Sequence, residues 1–78
     1  PEMTTLFVKQ VKIMRFEVYE TVIVLDDDPN KGVKKGEIGT IIMVYDTPNK
    51  AYEVEFVDEE GRVKYQGVFL SNQITKLK

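Results

Sequence analysis

Glu53 and Glu55, two positions apart in Tyr52-Glu53-Val54-Glu55-Phe56, come closest in this chain to a catalytic arrangement. Two carboxylates divide acid and base work only when their surroundings push their proton affinities apart, usually by burying one of them. At a spacing of two in an extended strand both side chains point the same way, and Tyr52, Val54 and Phe56 claim the other side for the core. Both glutamates are therefore expected on an acidic outer surface suited to a basic partner. Asp26-Asp27-Asp28 offers oxygen ligands of the kind hard cations prefer, but it lacks the spaced ligands and distal bidentate glutamate of a calcium loop. A solvated loop is expected there, and a plain turn at Asp58, Glu59 and Glu60. The chain has no histidine and no cysteine. Thiol nucleophiles, thiolate metal sites, disulfides and the usual neutral-pH proton shuttle are thereby excluded. No catalytic residue, cofactor or metal is expected, and the chain is read as a non-enzyme.

Lys31, Lys34 and Lys35 form a small basic cluster beside a glycine-rich turn. Phosphate recognition draws its affinity from many neutralised charges, typically about six to ten contacts. Three lysines are few, and acids outnumber bases 13 to 11 over the whole chain. Nucleic acid is thus an unfavoured partner, and the lysines are more simply read as offsetting the adjacent acidic loop. The aromatic residues carry more information. Phe16, Tyr19, Tyr45, Tyr52, Tyr65 and Phe69 exceed what so small a core accommodates, and tyrosine suits interfaces because its body is apolar and its tip polar. Strand parity places Tyr52 inward, which leaves Tyr45, Tyr65 and Phe69 as candidates for a partner-binding surface together with Glu53 and Glu55.

These side chains must be carried by short strands. The chain has 78 residues, enough for one domain with a thin core. Thr21-Val22-Ile23-Val24-Leu25 is rich in β-branched residues and reads as a strand buried on much of both faces. Asp26 to Gly32 breaks it with acids, Pro29 and glycine, and reads as one long exposed loop. Gly36-Glu37-Ile38-Gly39 leads into a second strand, Thr40 to Tyr45, with the glycines marking a tight turn or a close backbone approach. A turn at Asp46-Thr47-Pro48-Asn49-Lys50 precedes the strand Tyr52 to Phe56. Asp58-Glu59-Glu60-Gly61 then closes the tightest hairpin. The returning strand, Val63 to Leu70, changes apolar parity between Tyr65 and Val68, which predicts a β-bulge near Gln66-Gly67. Ser71-Asn72-Gln73 suits a single helical turn before a last strand, Ile74 to Leu77.

The expected fold is all-β: a small, closed SH3-like barrel of five strands over residues 14–78. Residues 1–13 form an extension that is too apolar for a disordered tail. That extension is expected to supply an extra strand, paired along its own barrel or along a neighbour's in a strand-exchanged homodimer. No apolar run approaches membrane-spanning length and no signal-peptide pattern is visible, so a cytoplasmic protein without a membrane partner is expected.

The stretch Phe16-Glu17-Val18-Tyr19-Glu20-Thr21-Val22-Ile23-Val24-Leu25, followed by Pro29 to Ile41 and by Tyr52 to Asp58, resembles a bacterial family of domains of unknown function, numbered 4926. The resemblance covers roughly Met14 to Leu77. It implies no catalytic residues or cofactor. It implies instead a partner-binding or neutralising role, because some relatives lie beside or are fused to toxin-like domains. The block Gly36-Glu37-Ile38-Gly39-Thr40-Ile41 is also similar to the glycine-centred element of KOW-type RNA-associated barrels and to the small barrel subunit of photosystem I. Two functions therefore stand at this point: a protein-binding module, and a KOW-like RNA- or ribosome-associated module using Lys31, Lys34 and Lys35.

Overall fold

Alternating apolar and polar residues, interrupted by glycine, proline and clustered acids, fold into five antiparallel strands in the computed structural model, which describes residues 16–77. They are β1 (Thr21–Val24), β2 (Ile38–Tyr45), β3 (Ala51–Val57), β4 (Val63–Phe69) and β5 (Ile74–Lys76), with a 3-10 turn at Ser71–Gln73. The sheet order is β4-β3-β2-β1-β5. The extra strand expected from residues 1–13 lies outside the described residues. The hydrogen-bonded ladder is open between β4 and β5, where a closed barrel was expected. The 3-10 turn makes that connection, and the Gln73 side chain accepts a 2.8 Å hydrogen bond from the Leu70 N–H. The fold is thus all-β and barrel-like, with one unzipped seam.

One side of the sheet holds the core. Phe16, Val22, Val24, Val33, Ile41, Tyr52, Val54, Phe56, Phe69 and Ile74 are buried, and no charged or polar residue is buried among the described residues. Each full burial of such a side chain contributes about 1.5–3 kcal/mol. Phe16 meets Tyr52 edge-on at 5.1 Å between ring centroids, and Phe56 meets Phe69 similarly at 5.7 Å. The inward parity expected for Tyr52, Val54 and Phe56 holds.

Two strand irregularities decide which other residues join the core. In β2 the pairing shifts between Ile41, opposite Val54, and Met43, opposite Glu53. The extra residue, Ile42, lets Ile41 and Val44 both face inward although they are three apart. In β4 the shift falls between Phe56↔Tyr65 and Val57↔Val63, so Lys64 is the extra residue. The bulge expected at Gln66-Gly67 is absent. Tyr65, Gly67 and Phe69 keep one continuous inward parity, whereas Val68 and Leu70 are exposed. Gly67 permits this because the Tyr65 ring folds over it. A methyl group there would lie 2.8 Å from Tyr65 Cε2.

The loop from Asp26 to Gly32 is largely exposed, as expected, and its far end is anchored. Asp28 pairs with Val33 in an isolated bridge, and Val33 is buried. Gly32, at φ 71°, makes the intervening reversal in the left-handed region that favours glycine. The Gly36 N–H donates to the Val24 carbonyl at 2.8 Å, and the Val24 N–H donates to Glu37 at 2.9 Å. The loop is thereby laced to β1. The hairpin turn at Asp58 to Gly61 forms as expected, with Gly61 at φ 83° and Asp58 Oδ1 accepting from the Glu60 and Arg62 N–H groups at 2.9 Å each.

Three carboxylates in such contacts are held below their ordinary proton affinity. Hydrogen bonding to Lys64 does this at Glu37, the Glu17 N–H at Glu20, and the Arg62 N–H at Asp58. The unfolded chain binds protons more tightly at these groups than the folded one. Their stabilisation is therefore complete above the ordinary glutamate value of 4.5 and lost as pH falls through the lower folded values. Urea midpoints measured between about pH 7 and pH 3 should stay level to about pH 5 and then fall. In Glu37→Gln the acid limb should be shallower, and an unchanged limb would remove Glu37 from this account.

Candidate interaction surface

Alternation and register set the outer side of β2, β3 and β4 in cross-strand rows. Met43, Glu53 and Val68 form one row, and Thr40, Glu55 and Gln66 the next. Tyr45 stands opposite Ala51 at the end of this face. Its hydroxyl donates to Glu53 Oε1 at 2.8 Å, and the Gln66 amide donates to Glu53 Oε2 at 3.2 Å. These bonds hold the Glu53 carboxylate between two neutral donors from adjacent strands. The hydrogen bond to Glu53 pushes the Tyr45 hydroxyl above its ordinary value of 10.0. Met43 and Val68 flank the group, both well exposed.

Of the five residues expected to form a partner-binding surface, Tyr45, Glu53 and Glu55 are brought together here. Phe69 is corrected to the core: it is 1% exposed and packs on Phe56. Tyr65 is corrected to a half-buried inward position, its ring 6.1 Å from that of Phe56. Both corrections have one cause. Two interleaved apolar sets competed for the inside of β4, and the set carrying two aromatic rings removes more surface from water than Val68 and Leu70 do. Met43, Gln66 and Val68 complete the face and were missed. The three-residue spacing of Ile41 and Val44 was the available signal for Met43, since both face inward only if an extra residue intervenes.

Of the three lysines, Lys31 is engaged through its ammonium. Lys31 pairs with Asp28 at 3.7 Å, and its ammonium stands 5.1 Å over the Phe69 ring. Lys34 and Lys35 are exposed, but their backbone N–H groups are given to Glu37 and Asp27 at 2.9 and 2.8 Å. Asp27 and Asp28 thus serve the turn. Among the described residues no group of three or more carboxylates is placed to hold a metal ion. No helix there is long and apolar enough to cross a membrane.

This arrangement defines a small barrel-like β-domain whose outer sheet face mixes apolar side chains with two carboxylates. The chain belongs to the family described as a domain of unknown function, DUF4926, whose model matches residues 18–75. No curated protein and no solved structure matches it.

Proposed function

We propose that this domain is a cytoplasmic, non-enzymatic protein-binding module that engages its partner through the outer face of β2, β3 and β4. The observation that carries the reading is the Tyr45–Glu53–Gln66 hydrogen-bonded group flanked by exposed Met43 and Val68. Fixing these polar side chains before binding lowers the ordering cost that association must meet. Apolar groups around a tyrosine supply the contact area interfaces favour. A chain without histidine or cysteine offers little else to chemistry. The RNA-associated alternative has weaker support, because Lys31 is already engaged by Asp28.

The test is capture from source-cell extract with the wild-type domain, with Met43→Lys/Val68→Lys, and with Lys34→Ala/Lys35→Ala. A protein retained by the wild type and the lysine variant, but lost from the outer-face variant, is the expected result. Retention of RNA that only the lysine variant loses would overturn the reading in favour of the RNA module.

A further inference from the structure

The outer face continues beyond the Tyr45 group into an apolar row. Ile23 stands opposite Ile38, and Val57 opposite Val63. Continuing the Thr40↔Glu55 register by two residues on each strand sets Ile38 beside Val57. Four aliphatic side chains therefore cross four adjacent strands, about 14 Å at ordinary strand spacing. Ile38, Val57 and Val63 are each about half exposed, at 54%, 48% and 55%. Three adjacent aliphatic side chains left in water form a contiguous apolar strip, a feature that contact surfaces carry. Beside it, in successive rows, stand Glu55 and Glu53. Among the described residues neither carboxylate has a lysine or arginine partner, as is also true of Glu17, Asp26, Asp27 and Glu59; Glu53 and Glu55 differ from those in standing on a sheet face beside the apolar row.

We infer that the occupant of this face is a protein segment that sets lysine or arginine among aliphatic side chains; this inference rests on the protein-binding reading above. The aliphatic part covers Ile38, Val57 and Val63, and the cations meet Glu55 and Glu53. Like charge counts against three competing occupants. A second copy related by a two-fold axis passing between Glu53 and Glu55 would set these carboxylates against their own counterparts. RNA and anionic lipid surfaces would meet the same carboxylates with like charge.

The experiment is a titration of the full chain, followed by backbone amide shifts, with three synthetic peptides in which valine alternates with lysine, glutamine or glutamate. The lysine peptide should shift residues of β2, β3 and β4 around Glu53 and Glu55. It should bind about threefold to tenfold more tightly than the glutamine peptide at low salt, as expected for two exposed ion pairs. Glu53→Gln/Glu55→Gln should abolish that preference while leaving the spectrum of the free domain otherwise intact. Equal binding of the lysine and glutamine peptides would overturn the inferred charge of the partner and leave the docking face standing. Shifts confined to residues off this face, or none with any peptide, would overturn both.

Discussion

Gly39→Ala is expected to cost the domain about 2–3 kcal/mol, the upper part of the range for overpacked cores. A methyl group at Gly39 would lie 2.6 Å from Val54 Cγ1 and 2.8 Å from Phe56 Cε2. Val54 and Phe56 are both fully buried, so neither side chain can swing aside into water. The opposing effect is the loss of backbone freedom that alanine imposes on the unfolded chain, which stabilises by only about 0.4–1 kcal/mol. The clash therefore wins. Urea unfolding with an unchanged slope and a lower midpoint is the expected observation. Because Val54 is the nearest obstacle, Gly39→Ala combined with Val54→Ala should lose less than the sum of the two single changes. Additive losses would show that the strain is not at this contact.

Phe56→Ala should cost more, about 3–5 kcal/mol. Phe56 is fully buried and meets both Phe69 and Tyr65, at 5.7 and 6.1 Å between ring centroids. A domain of this length has a total stability of only about 4–12 kcal/mol, so the variant should lose a large share of it and melt about 12–40 °C below the wild type. Its circular dichroism should show the thermal transition at that lower temperature. Phe56→Leu keeps most of the volume and should lose less than about 1.5 kcal/mol. A Phe56→Ala domain that melts cooperatively near the wild-type temperature would mean that the space left by the ring collapses. The position of Phe56 at the centre of the aromatic cluster would then be wrong.

The strands with clean alternation were legible from their residues. Tyr52 to Phe56 faces as its pattern requires, and the hairpin at Gly61 closes where clustered acids and a glycine announced it. The 3-10 turn and β5 also fall where they were read. Legibility ended at β4. Val63, Tyr65, Val68, Phe69 and Leu70 contain two apolar sets of opposite parity, and pattern alone does not rank them. The fold ranks them by surface removed from water, placing Tyr65 and Phe69 inward and shifting the bulge to Lys64. The candidate surface split along the same line: Tyr45, Glu53 and Glu55 stand on the outer face, and the two inward aromatics do not.

Glycine 39 shows the same boundary from the other side. Its presence before β2 signalled a tight turn or a close approach; only the packing of Val54 and Phe56 against it identifies the approach. Composition by itself settled the chemistry that this chain lacks, because residue types are absent whatever the fold. Local pattern settled the five strands of the described residues and most of their turns, because backbone preferences and alternation act over a few neighbouring residues. The open seam between β4 and β5, the two bulges, and the meeting of Tyr45 with Glu53 and Gln66 were decided only in three dimensions. Each depends on partners six or more residues away, whose register is set by which side chains fill one shared core.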